Sequence, residues 1–215
     1  MTEIIVLCTL HHLHGQIDFY TYDHLSEIIR GFAPDALACE LRPEDLENRK
    51  PQTIKQEYQH SIYPLLDELA CEALPLEPGE PLYSEWVQQM RKADEVFAKN
   101  HPAAIEQFGS YVNALYEILL AWWRSPADVN SAETDRHFEI KRRYQNALFG
   151  EAEAKGWERW NQHFLKQILI EAESHPQGRI VALVGVEHGY WLRKRLGQRT
   201  DVKLLDTASM LSHIF

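Results

Sequence analysis

Residues 4–15, with the sequence IIVLCTLHHLHG, decide the fold class and raise the question of function. The first five of these residues are continuously apolar, which is typical of a strand buried on both faces of a parallel sheet. Residues 36–39 (ALAC) and 180–184 (IVALV) have the same character, and residues 202–205 (VKLL) form a weaker run that suits an edge strand. The sequence therefore predicts a small, mostly parallel sheet.

A helix is predicted between the first two apolar runs. Its apolar stripe, with the spacing of one helix face, consists of Leu25, Ile28, Ile29 and Phe32. Thr21 or Asp23 can cap its start, and Gly31 with Pro34 marks its end. Strand, helix and strand in this order predict a βαβ unit with a parallel pair of strands.

The rest of the chain extends this α/β pattern. The run at 180–184 leads into a helix over about 188–196, which Gly197 closes before the fourth run. Residues 51–173 are predicted to be helical, with a stripe of Trp160, Phe164 and Ile168 in the core. We therefore predict an α/β fold in one domain, residues 1–215. A large central helical insertion, about 51–173, covers one end of a small, mostly parallel sheet with flanking helices.

Composition narrows the class of partner. The net charge of −10 argues against nucleic acid, and the basic runs 141–143 and 193–195 are expected to be solvated helix faces. No apolar run approaches the roughly 20 residues of a membrane span, and the start has no basic signal-peptide region. The odd, sparse cysteines, Cys8, Cys39 and Cys71, favour reduced thiols in a cytoplasmic protein.

Polar residues follow each of the three strong apolar runs. The first run precedes His11, His12 and His14, the second precedes Glu40 and Arg42, and the third precedes Glu187 and His188. If the strands are parallel, these residues lie at carboxyl ends, where open α/β sheets bind their ligands. The sequence thus predicts one site containing His11, Glu40, Arg42 and His188.

Each group also has an ordinary structural interpretation. His12 or His14 could be loop histidines bonded to backbone, Glu40 and Arg42 could form an ion pair, and Glu187 could simply begin a helix. In the functional interpretation, His11, Glu40 and His188 suit Zn, Mn, Co or Fe, and Arg42 stabilises an oxyanion. Without a metal, a neutral histidine near pH 7 can still act as general base on water.

At these residues the chain resembles the superfamily of the TraB pheromone-shutdown proteins, TIKI proteases, erythromycin esterases and ChaN haem-binding proteins. The mark of that superfamily is two G-x-x-H motifs after strands, with a Glu and a nearby Arg after another strand. The second motif is intact at 185–188, whereas the first, at 8–11, has Cys8 in the glycine position. Cys8 is expected to be a small buried group, with a thiolate ligand as the alternative.

The stretch WERWNQHFLKQI, residues 157–168, is similar to a Glu-Arg-x-Asn helix of the same superfamily. The resemblance makes Arg159 and Asn161 candidates for substrate binding, and we add His14 to them. Since the superfamily contains hydrolases and a haem-binding protein, it leaves activity open.

The leading hypothesis is a metal-dependent hydrolase of a peptide or ester bond in a small-molecule or peptide substrate. His11, Glu40 and His188 would hold the divalent metal or activate water, with Glu187 as an alternative base. The first alternative is a non-catalytic protein that binds a ligand, haem or metal in the same crevice. The second is a metal hydrolase with His12 and His14 as ligands, which normally requires an eight-stranded barrel. The aromatic surface of the helical region could also support a homodimer.

Overall fold

A computed structural model describes residues 1–214 and contains one five-stranded sheet in which every strand is parallel to its neighbours. The strands are β1 (Thr2–Thr9), β2 (Ala36–Cys39), β3 (Glu72–Pro75), β4 (Arg179–Gly185) and β5 (Val202–Leu204). Their order across the sheet is β3-β2-β4-β1-β5. The predicted α/β class with a parallel sheet and flanking helices is confirmed.

Ten α-helices surround this sheet in the described part of the chain. They are α1 (Tyr22–Phe32), α2 (Pro43–Glu47), α3 (Tyr63–Glu68), α4 (Leu82–Asn100), α5 (Pro102–Trp122), α6 (Pro126–Val129), α7 (Ala132–Phe149), α8 (Glu151–Ser174), α9 (Val186–Leu196) and α10 (Thr207–Leu211). A 3-10 helix covers His11–Gly15 and a π-helix covers Tyr58–Ile62. No helix among these residues combines the length and the apolar content that a bilayer crossing requires.

The two faces of the sheet carry separate apolar layers, because successive residues of a strand point in opposite directions. Ile5 and Leu7 pack with the stripe of α1, all of whose members are buried. Ile4 and Val6 face the other way and pack with α8 and α9, where Phe164 and Ile168 are fully buried. Burial on both faces explains why the strands have continuous rather than alternating apolar sequences.

Two predictions about elements are wrong in detail. β1 and β2 are parallel but not adjacent, because β4 lies between them and pairs with both. The segment predicted to be helical contains an edge strand, β3, whose four residues are too few for a periodic signal. The predicted end of α1 between Gly31 and Pro34 is confirmed, because the helix ends after Phe32 and Ala33 adopts the left-handed conformation at φ 47°.

The basic runs are only partly solvated, which corrects the expectation of solvated helix faces: Arg143, Lys194 and Arg195 are exposed, but the other three cations are largely buried. Lys141 and Arg142 are buried in α7, and only 15% of the Arg193 side chain is exposed. Each of these three cations is neutralised by a carboxylate from another helix: Glu187, Glu153 and Asp135 respectively. Such pairing is what makes burial of a charged side chain tolerable.

Candidate functional site

The carboxyl ends of β1, β2 and β4 meet at one edge of the sheet, as the sequence predicted. Gly185 N donates a hydrogen bond of 2.6 Å to Glu40 Oε2, and His188 Nε2 lies 4.0 Å from Glu40 Oε1. A Cβ atom at Gly185 would stand only 2.7 Å from His11 Nε2, so a glycine is needed there. The fold therefore brings together His11, Glu40 and His188, which are separated by up to 177 positions in the sequence.

Glu57 holds the His11 ring in place. His11 Nδ1 donates to Glu57 Oε1 over 2.7 Å, and Thr9 Oγ1 donates to the same oxygen over 3.0 Å. His11 has a φ of 53°, an uncommon conformation for a residue with a side chain, and 24% of its side chain is exposed. Burial alone would lower the pKa of His11, but the hydrogen bond and charge of Glu57, with the charge of Glu40, raise it overall.

His188 is held by a second set of contacts. Its Nδ1 donates to Asn161 Oδ1 over 2.9 Å, and its ring stacks on Trp157 at 4.4 Å between ring centres. Burial lowers the pKa of His188 to about 4, despite the opposing charges of Glu40 and Glu187. The imidazole is therefore neutral near pH 7, with its Nε2 lone pair toward Glu40.

Lys55 supplies a cation that the sequence did not reveal. Its Nζ lies 3.0 Å from Glu40 Oε1, 2.7 Å from the Glu40 carbonyl oxygen and 2.7 Å from Glu77 Oε1. Burial would raise the pKa of Glu40, but Lys55 and the two histidines lower it to about 2. Burial raises the pKa of Glu77. Glu40 is thus a buried, permanently charged anchor for Lys55 and for the end of β4.

Two cavities border this centre, and His188 lines both. The first, of about 650 Å³, lies between the end of the sheet and α5 and is reached by His11 and Glu187. The second, of about 480 Å³, lies beneath α4 and α8 and is lined by Glu40, Lys55 and Glu77. Both volumes lie within the range of small-molecule pockets.

Glu187 lies in the first cavity but is bound on two sides. Tyr116 Oη donates to its Oε1 over 3.2 Å, and the Lys141 ammonium pairs with its Oε2. These partners favour a fixed carboxylate more than a free base. The first turn of α9 has no side-chain cap, so its backbone N–H groups remain available beside Glu187.

Arg42 does not pair with Glu40, which corrects the interpretation of these two residues as an ion pair, and its bonds to other carboxylates do not fit the predicted oxyanion role. Its guanidinium donates to both oxygens of Asp45, at 2.8 and 2.9 Å, and to Glu80 at 2.9 Å. The guanidinium carbon also lies 4.7 Å from the ring centre of Tyr83. Lys55 takes the position by Glu40 instead.

Arg159 and His14 are also separate from the site, whereas Asn161 contacts it through His188. Arg159 lies over the ring of Trp86 at 4.5 Å, on the face of α8 that meets α4. Both ring nitrogens of His14 bond to backbone, one to Leu10 N and one to the Tyr20 carbonyl oxygen. His14 therefore cannot serve as a metal ligand, and the open five-stranded sheet removes the barrel that the His12 alternative needs.

The predicted metal set does not fit the arrangement. Among residues 1–214, the one group of three or more His, Cys, Asp or Glu with donor atoms within 4.8 Å of one another is Glu72, Glu171 and His175, at the amino end of the sheet. His11, Glu40 and His188 do not converge to that degree, and Glu40 Oε1 already contacts the Lys55 ammonium.

Cys8, in the glycine position of the first motif, is fully buried and faces away from the cavities toward α9. Its Sγ lies 3.2 Å from an Arg193 nitrogen, and burial raises the pKa of the thiol to about 11. A Cβ at Gly189 would overlap this sulfur, so a glycine in the helix accommodates the cysteine in the strand. This geometry does not fit a thiolate ligand.

Sequence reasoning missed Lys55, Glu57 and Glu77. They lie outside any motif or periodic stripe, in the connections around α3 and after β3. Only the polar composition of residues 55–57 (KQE), following the apolar Ile54, gave a weak signal.

Comparisons with protein-family models, curated proteins and solved structures found no match to this chain. The resemblance to the TraB and TIKI superfamily therefore stays a prediction. Function must be argued from the geometry of the site itself.

Proposed function

We propose that the protein hydrolyses an ester or peptide bond, with His11 as the general base that activates water. The observation that carries the proposal is the 2.7 Å bond from His11 Nδ1 to Glu57 Oε1, beside a cavity of about 650 Å³. Since the carboxylate fixes the proton on Nδ1, the lone pair of Nε2 is free to accept a proton. A base oriented by a third group is the arrangement that activates nucleophiles in many hydrolases.

The reaction needs only one proton carrier. His11 Nε2 takes a proton from water as the water oxygen bonds to the carbonyl carbon, and the carbonyl π electrons move to its oxygen. Glu57 stabilises the imidazolium that forms. When the tetrahedral intermediate collapses, the bond to the leaving group breaks and His11 returns the proton to that group.

The uncapped first turn of α9 supports the negative charge of the intermediate. Val186, Glu187 and His188 of this turn line the first cavity, and the N–H groups at a helix start carry partial positive charge. Glu187 is already paired with Lys141, which limits its repulsion of an oxyanion. This turn takes the role that the sequence assigned to Arg42.

The first cavity favours a substrate with an apolar group near the reacting carbonyl. Much of its wall is apolar, formed by Leu10, Leu13, Val112, Leu120 and Val186. The carboxylate of Glu117, on the α5 wall, also lines it, which disfavours an anionic group at that wall.

The test compares His11→Ala with His12→Ala, because His12 is exposed and also lines the first cavity but does not bond to Glu57. We expect His11→Ala to lower kcat/KM for p-nitrophenyl esters and short peptides by about 10²–10⁴-fold, and His12→Ala to change it little. Equal rates for the two variants would contradict the proposal. Elemental analysis of the purified protein, with assays after chelation, tests the metal-dependent form predicted from the sequence.

The apolar wall supports a second candidate, a protein that binds an apolar ligand or haem without turnover. A protein that is inert to every ester and peptide but retains such a ligand through purification would favour it. Haem titration followed by visible absorption, with His11→Ala as the comparison, separates the two candidates.

A further inference from the structure

The two histidines beside Glu40 are held in the way that metal-ligating histidines usually are. Each ring uses Nδ1 for a bond to a second residue, His11 to Glu57 and His188 to Asn161. In metal sites this second bond fixes the ring and leaves Nε2 for the metal. The donor set thus resembles a metal centre, although the donor atoms do not converge.

A cation is nevertheless present at this centre. The Lys55 ammonium is bonded by three oxygens, from the Glu40 backbone, the Glu40 carboxylate and the Glu77 carboxylate, at 2.7–3.0 Å. Only 17% of the Lys55 side chain and less than a tenth of each of the two acidic side chains is exposed. An ammonium group has three donors, so these bonds satisfy it completely.

We infer that Lys55 is a built-in cation that takes the position of a divalent metal at Glu40. The inference concerns the same centre as the proposed hydrolysis but does not rest on it, because metal affinity is measured without turnover. Its electrostatic basis is direct. A metal bound between Glu40 and Glu77 would share their charge with Lys55 and be repelled by it in a poorly solvated environment.

An ammonium group in place of a metal also changes the chemistry that this centre can perform. The ammonium neutralises charge, but unlike a metal it has no empty orbital with which to bind and acidify water. Lys55 therefore supplies a fixed positive charge at this centre but cannot itself activate water.

The test measures Co²⁺ binding by calorimetry and visible absorption in a His175→Ala background. That background removes the separate Glu72, Glu171 and His175 cluster, which could otherwise bind the ion. We expect the background protein to bind no Co²⁺ at Glu40. Lys55→Met should bind one equivalent with an affinity at least about a hundredfold above the detection limit of the measurement, because the nearby positive charge is gone. A further Glu77→Gln change should weaken that binding about tenfold or more.

Arg91→Met is the matched control, since Arg91 is an exposed cation that lines the same cavity. It should leave Co²⁺ affinity unchanged. Lys55→Gln keeps a hydrogen-bond donor without the charge and replaces Lys55→Met if the latter does not fold. Two results would overturn the inference: one tight Co²⁺ in the background protein that is lost on His188→Ala, or no gain in affinity in the folded Lys55 variants.

Discussion

At the scale of single residues, Glu57 determines how His11 can act, because its carboxylate both orients the ring and raises the pKa of the imidazole. In Glu57→Gln the amide oxygen can still accept the Nδ1 bond, but the charge is lost. We expect kcat to fall about tenfold or more with little change in KM. The pKa of His11 should also fall, so the acidic limb of the pH–rate profile moves to lower pH.

The measurement is the pH dependence of kcat and kcat/KM for the wild type and the variant. Glu47→Gln is a suitable control, because Glu47 is an exposed carboxylate at the end of α2. An acidic limb that moves to higher pH, or stays in place, would contradict the assigned role of Glu57.

His14 gives a prediction about stability. Burial lowers the pKa of His14 to about 4 in the folded protein, from an ordinary value of 6.5. The folded state therefore binds fewer protons than the unfolded chain below pH 6.5. The contribution of neutral His14 is complete above that pH and is lost as the pH falls toward 4, by about 3 kcal/mol at most.

Urea unfolding at a series of pH values checks this. His14→Gln should be less stable than the wild type at pH 7, but its free energy of unfolding should depend less steeply on pH between 6.5 and 4. Parallel pH profiles for the two proteins would rule the effect out.

Some residues of the site could be predicted from the sequence and others could not. His11, Glu40 and His188 could be predicted because each directly follows or nearly follows a strand, and parallel strands end together. Lys55 and Glu57 could not, because the conformation of a connecting segment decides where their side chains lie. Arg42 was placed at the right edge of the sheet, but Asp45, three residues later, binds it.

At the scale of elements, the close packing of α9 on β1 depends on the pair Cys8 and Gly189. A Cβ at Gly189 would overlap Cys8 Sγ, so Gly189→Ala should destabilise the protein by about 1–3 kcal/mol. Cys8→Ala removes the sulfur and should relieve part of that strain. The double variant should therefore lose at least about 1 kcal/mol less than the sum of the two single losses.

Thermal and denaturant unfolding of the four proteins measures this coupling. Gly109→Ala is the control, because Gly109 lies within α5 and a Cβ there meets no atom within 4 Å. That change should stabilise the protein by about 0.4–1 kcal/mol. If the stability lost in the double variant equals the sum of the losses in the two single variants, the helix adjusts to the extra atom at Gly189.

Elements with a strong periodic signal were predicted and short ones were not. The stripe of α1 and the continuous apolar runs of β1 and β4 predict their own structure, because burial on one stripe or on both faces leaves a pattern. β3 leaves none, since its four residues form an edge strand with half-exposed or exposed side chains. The position of β4 between β1 and β2 is a property of pairing between distant segments, which no local pattern encodes.

At the scale of the whole molecule, local stability should decrease from the sheet toward α4. The strands β1 and β4 are almost completely buried, whereas none of the 19 residues of α4 is buried. α8 is a comparison of similar kind, a long helix whose Phe164 and Ile168 are fully buried. Backbone amides in α4 should therefore exchange with solvent much faster than those in α8.

Hydrogen–deuterium exchange followed by mass spectrometry resolves these segments. We expect the order of protection β1 and β4, then α8, then α4. Equal protection of α4 and α8 from exchange would mean that α4 unfolds only when the whole protein unfolds.

α5 forms a wall of the first cavity and α4 forms a wall of the second. The His11–Glu57 pair, Lys55 and the start of α9 all lie outside these helices, and in α5 only Leu115 and Leu119 are buried. Residues 82–122 therefore form a cover over the reactive groups, and this cover can be exchanged while those groups stay in place. A chimera that keeps both leucines and Tyr116, which bonds to Glu187, but exchanges the remaining surface of this cover would inherit the same reactive groups and admit a different set of molecules.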